Sequence, residues 1–327
     1  MAFSQTYDKT NPGSAVSNRE QLLDALTILA PEETPITSAC SKIKATSAFV
    51  EWTVDSLSAP VTAGVAEGAD VTSFTDKFAG RARLGNYVQK FRRDFMVSDL
   101  QQAVDSVGPA KVAEAEAKAV REIKRDIEAT ICSGNDRSVE DGAGAVYGLR
   151  GLDRWINTSP GADVPANYRT PSGSIWGSGT FNELALNNLI TSMYRVTGAV
   201  NSVTLYADTA LRRSISDFTR ISGSTDYAVR NVNMPDSSTK IHVSVELYQS
   251  DHGIVSVVNM NPDCAPDTTN RDTGYLINQD FVQIAELIPL GSSRLPNFGG
   301  GERGYVDATL TLVCKHPGAH GKITSLT

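Results

Sequence analysis

The chain has 327 residues, 40% of them apolar and 20% charged, with a formal net charge of −7. That length holds one large or two ordinary domains. The acidic balance excludes a dedicated nucleic-acid binder, whose affinity comes from basic groups meeting phosphates, and no run of about 18 apolar residues is present to span a bilayer.

The first residues, "MAFSQTYDKTNPGSAVSN", lack the basic start and apolar block of a signal peptide, so the expected compartment is a cytoplasm. Ser17 and Glu20 then frame a capping box, and Leu22, Leu23, Ala25, Leu26, Ile28 and Leu29 follow as a short, oily helix. Pro31 ends it, and Glu32-Glu33-Thr34-Pro35 makes a polar, extended exit. A helix so close to a terminus frays unless something holds it.

Residues 49–57, "FVEWTVDSL", alternate as a strand with one wet side. Residues 58–80 turn into Ala, Gly, Thr and Asp, too poor in large apolar groups for a core. Residues 81–97 return to strand, with a change of alternation near Gly85-Asn86 that suits a bulge or bend. Two strands joined by such a tip predict a projecting hairpin.

Gly108-Pro109 punctuates, and the chain then reads helix to Ser133. Ala113, Ala117, Val120, Ile123, Ile127 and Ile131 recur at threes and fours, which gives an amphipathic rod lying on a sheet. Residues 134–179 are a loose stretch of Gly, Ser, Asn and Pro. A second capping box, Thr180-x-x-Glu183, predicts a helix that stops at Gly198. A strand at 202–207 and a short helix at 209–218 follow. "KIHVSVELY" and "GIVSVVNM" flank a hairpin turn, strands are expected at 274–278 and 281–288, and in "YVDATLTLVCK" Val306, Ala308, Leu310, Leu312 and Cys314 share a face. Helices and strands do not alternate regularly, so the class is α+β.

No catalytic constellation stands out. Gly142 to Gly148 has the wrong spacing for a dinucleotide loop and no strand feeding it. Ser41-Lys42-Ile43-Lys44 matches S-x-x-K without the motifs that accompany it. His316 and His320 are separated by Pro-Gly, which excludes the helix that would align both on a metal. Cys40, Cys132, Cys264 and Cys314 form no C-x-x-C pair and read as reduced thiols filling apolar sites. We therefore assign no catalytic, metal or cofactor residue. The positive signs are architectural: an oily helix, a hairpin and a rod, extensions that suit contacts between copies of one chain.

The order of these motifs carries a resemblance. "EQLLDALTILAP", "EETPI", "VEWTVDSL", "AEGAD", "NYVQKFRRDFMVSD", "REIKRDIEATICSGN", "YGLRGLDRWI", "VDATLTLV" and "GAHGKI" follow one another as in the major capsid proteins of tailed bacteriophages with the Hong Kong 97-type fold. The chain is similar to the branch with Glu-Thr-Pro after the first helix and Glu-Trp in the first hairpin strand. Two places depart from that pattern: Asp307, where Glu is usual, and "CKHPGAH", where a turn containing Asn is usual.

The resemblance implies an N-arm (1–45), an extended loop (46–95), a peripheral domain (96–140, with a spine helix at 109–133, and 285–327) and an axial domain (141–284). It implies a protein that is no enzyme and has no cofactor. Such a protein assembles as hexamers and pentamers into an icosahedral shell and encloses double-stranded DNA without sequence-specific binding, which suits an acidic wall. It does not involve a membrane. Portal, protease, scaffold and decoration proteins are the further partners it allows, and the virion capsid, built in the bacterial cytoplasm, is the expected location.

Leu22, Leu26, Leu29, Glu33, Trp52, Glu67 and Asp70 are the inter-subunit contact candidates. The oily helix packs either on a neighbouring copy or on its own long helix. No Lys, Asn and Glu set is assigned to a covalent crosslink. The alternatives are an encapsulin-like compartment shell, which shares the fold, and a hydrolase using Cys40 or Cys132, although Cys132 sits at the helix end that does not lower a thiol pKa.

Overall fold

The computed structural model describes residues 30–104, 111–179, 181–198, 203–218, 246–267 and 269–324. The first capping box, the oily helix with Leu22, Leu26 and Leu29, Thr180 of the second box, and residues 240–245 of the expected hairpin lie outside them.

Chain order gives α1 (Pro35–Ala39), β1 (Ser41–Lys44), β2 (Phe49–Val54), β3 (Ala82–Tyr87), β4 (Gln89–Val97), α2 (Asp99–Ala103) and α3 (Lys111–Cys132). Then come α4 (Leu152–Trp155), β5 (Ile175–Trp176), α5 (Glu183–Thr197), β6 (Val203–Ala207) and α6 (Thr209–Asp217). The last part is all strand: β7 (Leu247–Ser250), β8 (Gly253–Asn259), β9 (Gly274–Asn278), β10 (Val282–Leu295), β11 (Glu302–Cys314) and β12 (Gly321–Ile323).

The first sheet has the order β1-β10-β11-β4. Along β11 the alternation expected from the sequence holds: Val306, Ala308, Leu310, Leu312 and Cys314 are buried in one cluster with Ile123, Ile127 and Ile131 of α3 and Phe91 and Phe95 of β4. Each Val, Leu, Ile or Phe among them contributes about 1.5–3 kcal/mol by leaving water. The apolar stripe of α3 thus lies on this sheet from Ala119 onward, whereas Ala113 and Ala117 of the expected stripe are exposed. β11 runs unbroken through Asp307, which faces Lys90 of β4 at 3.4 Å, and the His-Pro-Gly-Ala segment closes as a short 3-10 turn at Pro317–Ala319.

The second sheet has the order β5-β12-β9-β6-β8-β7. It is covered on both faces. Leu205, Val203 and Leu276 meet α5 and α6, whereas Tyr206, Tyr275 and Ile277 join the cluster under α3. The strand β12 sits between β5 and β9, so the residues after Lys315 return to the second sheet instead of staying with β10 and β11.

Three expectations are corrected. Residues 81–97 are two strands broken at Val88, and only β3 pairs with β2; β4 belongs to the first sheet. There is no bulge at Gly85; the glycine is needed because the Phe49 ring covers it, and a Cβ there would meet that ring at 2.5 Å. The residue that caps α5 is Asn182, whose Oδ1 accepts from the Ala185 N–H at 2.9 Å, two positions later than the sequence suggested. The helix does stop at Gly198, in the left-handed region at φ 67°.

Ser41–Lys44, dismissed above as a chance motif, is a strand parallel to β10. The strand expected at 281–288 continues to Leu295, with register shifts near Ile288.

Candidate assembly surface

The hairpin separates into a root and a tip. At the root, six residues of β2 pair with six of β3, from Phe49↔Tyr87 to Val54↔Ala82. Leu84 and Val54 are buried in the main core, and Trp52 packs on it with its ring 5.7 Å from that of Trp155. Beyond Val54 no further strand forms before Ala82. Leu57, Val61, Val65, Val71, Phe74 and Phe78 are exposed there, Leu57 at 99% and Phe74 at 91%. A tip that cannot pack on its own body presents these groups to something else. Arg81 and Asp55 close its mouth with a 2.8 Å ion pair, and the hydrogen bond from Arg81 holds the Asp55 carboxyl below its usual range.

Among the contact candidates, Glu67 and Asp70 are exposed in the tip, and Glu33 is exposed at the arm exit. The Glu33 carbonyl accepts from Asn261 Nδ2 at 2.7 Å. Trp52 is half-buried within its own subunit instead of standing open. The structure therefore brings Glu67 and Asp70 onto one loop and leaves Glu33 and Trp52 at separate places.

Sequence reasoning missed the anchor of the arm exit. Glu128 of α3 is fully buried and accepts from the Ile36 N–H at 2.9 Å, the Thr37 N–H at 2.8 Å and the Thr37 hydroxyl. Burial pushes its carboxyl up, against the pull of those donors. In the sequence Glu128 stands four residues after Lys124, the spacing of an ordinary exposed ion pair; its one signal was a carboxylate beside the stripe of Ile127 and Ile131.

The four thiols are free and buried. Burial raises Cys40 to about 12 and Cys264 to about 11, and raises Cys132 and Cys314 well above the ordinary thiol value. Such thiols stay protonated and lack nucleophilic character. His316 and His320 are inward-facing, and no group of three or more metal-ligating side chains occurs among the described residues. No described helix is long and apolar enough to cross a membrane.

The sequence model of the SU10 major capsid protein matches residues 4–327. The chain belongs to the SU10 major capsid protein family. A protein of this family is a structural component of the virion shell, built by association of many copies, and is not an enzyme.

The Hong Kong 97-type fold expected for such a capsid protein is present. The chain superposes on the capsid protein of a native GTA particle with a TM-score of 0.63 at 11% identity, covering 98% of this chain and 99% of the other. It is similar to the capsid of cyanophage P-SCSP1u (TM-score 0.62, 11% identity, 95% and 94% covered) and to Mycobacterium phage Bobi (0.62, 12%, 97% and 99%). Comparison with curated protein sequences gives no match. Family membership separates this capsid protein from the encapsulin-like and hydrolase alternatives.

Proposed function

We propose that this capsid protein tiles the icosahedral head as hexamers and pentamers, in the host cytoplasm, around double-stranded DNA that it does not bind by sequence. The N-arm (1–45), the extended loop (46–95), the peripheral segments (96–140 and 285–327) and the axial segment (141–284) are the working parts. The observation that carries this reading is the hairpin tip, whose apolar side chains from Leu57 to Phe74 stand exposed among the described residues, with Phe78 half-covered by the Arg81 guanidinium. A neighbouring copy is the cover. Glu67 and Asp70 on the tip, Glu33 at the arm exit and Leu22, Leu26 and Leu29 in the arm are its contact residues. Trp52 supports the hairpin from within. The net charge of −7 suits a wall that does not grip its contents. Portal, protease, scaffold and decoration proteins are the further partners that this reading allows.

Sedimentation and electron microscopy of the purified protein test this. Rings of five and six, or closed shells, are the expected species; a single 35.0 kDa species at every concentration overturns it.

A further inference from the structure

The stretch between α3 and β5 has the composition of a linker, yet it grips the root of the hairpin. Asn86 of β3 is fully buried, and its side chain is spent on this stretch and on β11. Its Oδ1 accepts from the Arg150 N–H at 2.8 Å, and its Nδ2 donates to the Arg150 carbonyl at 3.2 Å and the Leu312 carbonyl at 2.9 Å. Arg137 Nη1 donates to the carbonyl of Gly85 at 2.7 Å, and its guanidinium lies 5.4 Å from the Phe49 ring centre. At the other end of the root, the Tyr168 hydroxyl donates to the Gly80 carbonyl at 2.6 Å. Both strands of the root are therefore held by groups from one loop.

The loop is itself braced. The Arg150 side chain is 2% exposed, and its guanidinium donates to Asp136 at 2.6 Å and to both oxygens of Asp163 at 2.8 and 3.1 Å. It also lies 4.7 Å over the ring of Trp155, which in turn packs on Trp52. Arg137 reaches the same Asp163 at 3.5 Å. A planar guanidinium fixed by two carboxylates and a ring has one orientation, which a lysine ammonium would not impose.

We propose that the segment from Asp136 to Tyr168 is a collar that sets the angle at which the hairpin leaves the body, and that Arg150, Arg137 and Asn86 are positioning residues for contact between copies. The reasoning is mechanical. A stiff root about 20 Å long, carrying an uncovered tip, turns a small rotation at its base into a displacement of several Å at the tip. A shell closes only when the same contact repeats at a fixed angle. The collar is thus where a subunit stores its share of the curvature. This inference rests on the reading that the hairpin meets a neighbour.

The test uses the full chain with Arg137→Gln, which removes the Gly85 bond, the Phe49 contact and the Asp163 pair from a partly exposed site. Asp163→Asn is the second variant, and Lys118→Gln, on the exposed side of α3, is the charge control. Hydrogen exchange at Phe49–Val54 and Ala82–Tyr87, the melting temperature and the diameter of assembled shells are measured. Expected for both collar variants are a melting temperature within about 3 °C of the parent, exchange in β2 and β3 about tenfold faster, and open or mis-sized shells, while Lys118→Gln behaves as the parent.

Unchanged exchange overturns the collar. Faster exchange with closed shells of parental diameter overturns its role in assembly. If both variants are unfolded, the network carries the fold itself and the proposal falls. If the parent forms no shells, the shell reading fails by itself, and the exchange data still decide whether the collar holds the hairpin.

Discussion

The carboxylate of Glu128 on α3 accepts both the backbone N–H of Thr37, at 2.8 Å, and the Thr37 hydroxyl, in a site closed to water. With the Ile36 N–H as a third donor, one side chain fixes the point where the arm meets the body. Glu128→Ala strands those backbone donors and costs about 2–4 kcal/mol of stability, measured by urea unfolding. Glu128→Gln keeps one acceptor and costs less.

The same residue gives a pH slope. Its folded-state pKa lies above the ordinary 4.5, so the folded protein holds this proton more tightly than the unfolded chain does. Its contribution to stability is therefore greatest below about pH 4.5 and falls as pH rises toward the folded value. Glu128→Gln has no such slope, so the variant gains relative to the parent between pH 4.5 and 7. A difference that moves the other way means that the three donors outweigh burial.

His320 has the opposite sign. Its Nδ1 accepts from the Asn278 N–H at 3.2 Å, and a proton on that nitrogen would face another donor. Burial, with His316 nearby, lowers its pKa from 6.5 to about 3. Stability from this residue is complete above pH 6.5 and is lost as pH falls toward 3, by about 2 kcal/mol at pH 5. His316 is lowered too and adds in the same direction. Unfolding of His320→Gln at pH 7 and pH 5 should show a shallower fall than the parent.

The thiols test the passive role given to them. Iodoacetamide at pH 8 should leave the folded protein unlabelled and add four groups after denaturation, read by intact mass. One thiol labelled rapidly in the folded chain would mean an accessible thiolate.

The hairpin divides into parts with different expected losses. Replacing residues 59–76 with a Gly-Asn turn removes only exposed chain, so circular dichroism and melting should match the parent while closed shells are lost. Trp52→Ala instead cuts into the packing on Trp155 and should cost the isolated subunit about 3 kcal/mol. If Trp52→Ala spares the subunit and harms only assembly, the tryptophan works between copies.

Periodicity made the core legible. Ile123, Ile127 and Ile131 recur at helical spacing, and Val306 to Cys314 alternate, because each faces one continuous apolar layer. The collar was not legible, since what holds it is Asn86 to Arg150 and Arg137 to Gly85, polar bonds across 64 and 52 positions that leave no local pattern. β1 was missed because all four of its residues are exposed, and the outer half of β10 because both its faces are wet. Of the contact candidates, Glu67 and Asp70 were readable as loop residues. The inward turn of Trp52 depended on Trp155, more than 100 positions away, and the Glu128 anchor on donors in the arm exit.

The placement of the late strands also governs when a subunit comes into being. β11 lies between β10 and β4, and β12 lies between β5 and β9. A chain without residues 302–323 lacks an interior strand in both sheets, and the four-stranded sheet can close as soon as β11 is present while the six-stranded one still waits for β12. Partners far apart in sequence make such closure slow.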